Sequence, residues 1–93
     1  MKKKDEEKPK EEYFCELLEE GEFYFLNNNY DEAQKLLEKA LAIKLDARVL
    51  YTLGLIFEMK NEKDKAQEMY RRALELNPDL KEAKNHLEKI LKG

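Results

Sequence analysis

From Phe14 onward, apolar residues return at helical spacing in blocks separated by short polar stretches. Ala33, Leu36, Leu37, Ala40 and Leu41 form one block, and Ala66, Met69, Tyr70, Ala73 and Leu74 form another. Steps of three and four place each set on one face of a helix. The blocks repeat one another at particular positions. A shift of 33 residues sets Leu17 on Leu50, Gly21 on Gly54, Asn28 on Asn61, Asp31 on Asp64, Ala33 on Ala66, Gln34 on Gln67, Ala40 on Ala73, Leu41 on Leu74 and Asp46 on Asp79. Conservative pairs fill the gaps, among them Phe23 with Ile56, Tyr24 with Phe57 and Leu37 with Tyr70. A period of this length marks stacked supersecondary units, here two helices each.

Polar residues punctuate the pattern. Asn27 to Asn29 and Lys60 to Lys63 predict the turns inside each unit. Asp31 and Asp64 are expected to cap helix starts, with Gln34 and Gln67 reaching back to complete capping boxes. Asp46 is expected to cap a third helix, and Asn77-Pro78 to close a fourth, since the residue before proline avoids the helical region. Asp79 to Glu82 repeats the capping pattern and opens a fifth helix towards Gly93. There Leu80, Ala83, Leu87, Ile90 and Leu91 make an apolar stripe, while Lys81, Lys84, Glu88 and Lys92 stay wet. A half-polar terminal helix covers the end of a stack, so the array is expected to close here.

Residues 1–12 carry ten charges, five of each sign, and no large apolar residue beyond Met1. Such a stretch cannot offset its ordering entropy, and it reads as a charged flexible tail with Pro9 suited to a first helical turn near its end. The expected architecture is all-α with five helices: a helical domain over 13–93, made of repeat one (14–46), repeat two (47–80) and a capping helix (79–93).

Composition narrows the function. The 93 residues include no serine, one threonine, one cysteine and one histidine, so no serine triad, cysteine zinc cluster or histidine pair can be assembled. No catalysis, cofactor or metal is expected. A net charge of −3 argues against a nucleic-acid partner, which needs an electropositive face. No apolar run approaches the roughly 20 residues of a membrane span. Met1 to Lys4 begins like a signal peptide, but Asp5, Glu6 and Glu7 stand where its apolar stretch would be. The lone Cys15 rules out an internal disulfide and fits a reducing compartment, giving a cytoplasmic expectation.

At Leu50, Leu53, Gly54, Phe57, Ala66, Tyr70, Ala73 and Pro78 the second unit resembles a tetratricopeptide repeat. The first unit is similar at Leu17, Gly21, Tyr24, Ala33, Leu37 and Ala40, but has Glu20 in place of Leu, Leu45 in place of Pro, and is one residue short. The resemblance implies an α-solenoid, a right-handed stack of two repeats and a capping helix, that binds a peptide or helix of a partner protein in a concave groove. Carried over by position, that groove shows Cys15, Leu18, Glu22, Phe25 and Leu26 from the first unit. Arg48, Tyr51, Thr52, Leu55, Glu58 and Met59 follow from the second, and Glu82, Asn85 and Lys89 from the last helix. The basic clamp by which some relatives hold a C-terminal carboxylate is missing: Leu18, Glu22, Tyr51 and Leu55 occupy its places, with Arg48 the remaining basic candidate. What is left is an apolar strip rimmed by charge, suited to an apolar peptide or amphipathic helix.

The function expected is that of a protein-interaction adaptor. A competing reading is a structural module that homodimerises through the same apolar surface. Cys15, among several glutamates that oppose a thiolate, reads as inert and half-buried. His86 reads as a surface residue on a solvated helix.

Overall fold

The computed structural model describes residues 9–93. Within them the chain forms five α-helices: α1 (Lys10–Leu26), α2 (Tyr30–Ile43), α3 (Ala47–Met59), α4 (Lys63–Leu76) and α5 (Lys81–Lys92). No strand occurs among the described residues. Pro9 is the N-cap of α1, which takes in Lys10, Glu11 and Glu12 from the end of the expected tail; residues 1–8 of that tail lie outside the described residues. The chain divides into two compact units, one ending at Lys44 and one spanning Leu45–Gly93.

In the first unit α1 packs on α2. Helix α1 buries Phe14, Leu17 and Gly21, and α2 buries Ala33, Leu37 and Ala40. Gly21 is required by distance: a Cβ there would lie 2.7 Å from Cγ of Leu37. Lys44 closes the unit, with Nζ 5.1 Å from the centre of the Phe14 ring and 3.0 Å from Oε2 of Glu11. This pair is solvent-exposed and contributes little by itself.

The second unit repeats the arrangement with α3 on α4, and adds α5 on α4. Seven residues of α3 are buried, from Val49 to Phe57, together with Ala66, Tyr70 and Ala73 of α4 and Ala83 of α5. Gly54 faces Tyr70 as Gly21 faces Leu37, and more tightly: a Cβ at Gly54 would lie 2.4 Å from Cε1 of the tyrosine ring.

Both pairs turn through the same device. Asn28 and Asn61 take the left-handed conformation with φ of 64°. Behind each, two backbone bonds close the helix end. Asn28 N–H donates to the Phe25 carbonyl at 3.0 Å and Asn29 N–H to Tyr24 at 2.9 Å; Asn61 donates to Glu58 at 2.9 Å and Glu62 to Phe57 at 2.8 Å. This is a Schellman closure, and asparagine tolerates the left-handed position better than other residues with a Cβ.

The same closure displaces the expected capping boxes. Asn29 and Glu62 finish one helix and serve as N-cap of the next, with no side-chain capping bond at either. Asp31 and Asp64 therefore lie one turn-step inside α2 and α4, where a carboxylate still meets the positive end of the helix dipole. The Gln34 amide donates to Glu38 at 3.0 Å. Asp79 also falls short of the cap. Asn77 Oδ1 accepts from its N–H at 3.2 Å in a tight turn, and Leu80 becomes the N-cap of α5. Asp46 alone caps as expected, accepting from the N–H groups of Arg48 (2.8 Å) and Val49 (3.2 Å). Asn77 ends α4 before Pro78, in agreement with the sequence.

Candidate functional site

The expected groove residues lie on α1, α3 and α5 and divide by exposure. On α1, Leu18, Glu22 and Phe25 recur at steps of four and three and are half-buried, while Leu26 beside them is 77% exposed. The Phe25 ring lies 5.8 Å from that of Tyr30, whose hydroxyl donates to Asn28 Oδ1 at 2.9 Å. The turn asparagine thus holds an aromatic against the strip.

On α3, Tyr51 and Leu55 are half-buried and Met59 is 59% exposed, one turn apart along the helix. Arg48 is exposed. Thr52 is not available at the surface: it is buried, and its hydroxyl donates to the Arg48 carbonyl at 2.9 Å, inside its own helix. A small side chain with a local acceptor one turn back has no need to reach outward. Asn85 and Lys89 of α5 are exposed.

Glu58 is drawn into a cluster that its position in the repeat does not disclose. Its Oε1 accepts from the Tyr70 hydroxyl at 2.5 Å and pairs with Nδ1 of His86 at 2.9 Å. One carboxylate oxygen therefore ties α3 to both α4 and α5. The His86 ring lies 5.6 Å from Tyr70 and 5.9 Å from Tyr51, and the two tyrosine rings are 5.9 Å apart. His86 is thus a part-buried packing residue and not the solvated surface histidine expected; its partner lies 28 positions away, beyond the reach of local pattern. Burial, the hydrogen bond to Glu58 and the charge on Glu58 push the Tyr70 phenol well above its usual range. Burial first, then Glu82 and Glu58, raises Tyr51.

Cys15 is exposed and not half-buried, since Phe14 and Leu17 take the inward positions of that turn. Among the described residues no three His, Cys, Asp or Glu side chains are grouped to hold a metal ion, and no helix is long and apolar enough to cross a membrane.

Phe23 departs from its repeat partner. Ile56 is fully buried, whereas Phe23 is 60% exposed, beside a shallow depression lined by Glu19, Glu20, Tyr24, Glu32 and Leu36. The signal was present in sequence: Glu19 and Glu20 stand where α3 has Thr52 and Leu53.

A family model described as tetratricopeptide repeat matches residues 13–79. Among curated proteins, the chain is 38% identical over 71 residues to human RANBP2-like and GRIP domain-containing protein 1, covering 75% of this chain and 4% of that protein. RanBP2-like and GRIP domain-containing protein 3 of the same species is 35% identical over the same length. Photosystem I assembly protein Ycf3 of Acaryochloris marina is 37% identical over 62 residues, which is 62% of this chain and 37% of that protein. The chain therefore spans only a small part of the length of the human relatives.

Proposed function

This chain belongs to the tetratricopeptide repeat family, and on that premise we propose that it binds a peptide or helix of a partner protein, without chemistry of its own. Tetratricopeptide repeats mediate protein–protein interaction, and the Acaryochloris relative is named as an assembly protein, which agrees with a role exercised by holding other proteins.

The observation that carries the reading is the strip of Tyr51, Leu55 and Met59. These side chains remain partly exposed in a unit that already buries Val49, Leu50, Leu53, Ile56 and Phe57 from the same helix. Apolar groups left over once a core is full are available to an apolar ligand. Leu18 and Phe25 of α1 offer the same chemistry in the first unit. The partner residues that suit them are spaced at one helical turn, or alternate along an extended peptide. Arg48 and Lys89 supply positive charge for an acidic flank, and Glu22 supplies negative charge for a basic one. Thr52 and Glu58 take no direct part, because each is already satisfied within the second unit.

Peptides selected from a random display library against the whole chain test the proposal. They should carry paired apolar residues and bind Leu55→Glu/Met59→Glu at least about tenfold more weakly, the effect of removing a central apolar contact. Circular dichroism should show the double variant as helical as the wild type. Selected peptides that bind both proteins equally would refute this assignment.

A further inference from the structure

We propose that the Phe23 face of the α1–α2 pair receives α5 of a second copy of this chain, so that the protein associates head to tail. The surface is separate from the peptide strip, and the inference does not rest on that reading. It begins from the repeat register. Phe23 is 60% exposed where its counterpart Ile56 is fully buried, so this face has an apolar centre that the first unit does not cover. Tyr24 and Leu36 extend that centre, and Glu19, Glu20 and Glu32 ring it.

The chemistry of the ring selects the occupant. An aromatic and aliphatic floor inside three carboxylates suits a helix with an apolar edge between lysines. Helix α5 comes near that composition: Leu87 is half-buried and Leu91 is 56% exposed, with Lys81, Lys84 and Lys92, and one carboxylate, Glu88, exposed beside them. The two helices are opposite in net charge. Helix α1 carries six glutamates and one lysine, and α5 carries four lysines and two glutamates. Such complementarity favours α5 against α1 and disfavours α1 against another α1 by like-charge repulsion. The contact is therefore heterologous. Each copy has one donor face and one acceptor face, so association continues beyond a dimer unless a ring closes. Glu19 and Glu20 of the ring are exposed, so salt should weaken the contact.

The test is sedimentation of the full chain over a concentration series, under reducing conditions so that Cys15 forms no disulfide. The wild type should grow in mass past twice the 11.1 kDa of one chain and lose association at high salt. Phe23→Glu and Leu91→Glu, both at exposed positions, should each stay monomeric alone. Mixed together they should form a dimer and nothing larger, because each retains the face that the other lacks. Glu20→Lys keeps Phe23 in place and should weaken association about tenfold, which keeps the test valid if Phe23→Glu fails to fold. Leu55→Glu/Met59→Glu should associate as the wild type does. A wild type that is monomeric at every concentration overturns the proposal. So does a dimer that grows no further and survives Phe23→Glu, or a mixture of the two variants that remains monomeric.

Discussion

The α1–α2 and α3–α4 pairs share their register, their glycine contact and their left-handed asparagine, yet α3 buries seven residues where α1 buries three. Five positions are buried in α3 alone, at Glu16 against Val49, Glu19 against Thr52, Glu20 against Leu53, Phe23 against Ile56 and Tyr24 against Phe57, while Phe14 is buried against a half-buried Ala47. The shared residues are those that fix how two helices of a pair meet. Gly21 and Gly54 set the approach, and Ala33, Ala40, Ala66 and Ala73 keep the opposing surface flat and fully buried. The residues that differ lie on a further side of the first helix. Pair geometry can be held constant while that side is changed from apolar to acidic, and this is how two copies of one motif acquire different surfaces.

The largest expected contrast tests that division directly. Ile56→Ala should destabilise the chain by about 3 kcal/mol through loss of buried methyl groups and the cavity left behind. Phe23→Ala, its register partner, should stay within about 0.5 kcal/mol, as surface substitutions do. Urea midpoints for the two variants measure the difference. Equal losses would mean that the Phe23 side is as closely packed as its counterpart.

A second contrast concerns the glycines. Alanine at position 54 meets an aromatic ring that cannot fold away, and should cost about 2 kcal/mol even after the helix propensity gained. Alanine at position 21 makes the smaller overlap, 2.7 Å from Cγ of the buried Leu37, and should cost about 1 kcal/mol. Thermal denaturation of both variants would show whether ring rigidity sets the order.

The smallest effect isolates Tyr70, for which the first unit has only Leu37. Tyr70→Phe should lower stability by about 1 kcal/mol at neutral pH by removing the bond to Glu58. The sign reverses the concern at alkaline pH. Because the folded phenol is held above its ordinary value, the unfolded chain releases this proton first, and stability falls as pH rises above about 10. The loss approaches 1.4 kcal/mol per pH unit for one such group, as a rough limit. In Tyr70→Phe that part of the slope should vanish, leaving a shallower decline.

Much of the fold was legible because a tight helix pair leaves a compositional trace. Only small residues allow backbones to approach, so Gly21, Gly54 and the buried alanines stood out at fixed spacing. The helix starts were harder. An aspartate at the N-cap and one slightly inside the first turn both satisfy the same dipole, so Asp31 and Asp64 could not reveal their true register. The turn asparagines carried the better signal, since Asn28 and Asn61 are identical between units and one of few residue types that accept a positive φ. The Glu58–Tyr70–His86 cluster was hidden for another reason. It joins three helices, and side chains that meet across such separations share no period. Cys15 and Thr52 were misjudged because one position along a helix decides between inward and outward.

The His86 imidazole has a magnetic consequence. It is the chain's one histidine, and it packs beside two aromatic rings at 5.6 and 5.9 Å. Ring currents from Tyr51 and Tyr70 displace the resonances of its carbon-bound protons from their positions in an open chain. Those lines lie in an uncrowded region of a one-dimensional spectrum, and they report specifically on the seating of α5. Swinging of the last helix away from α4 would register there while α1 to α4 remain folded, so that the local opening of one element can be followed separately from the loss of the whole structure.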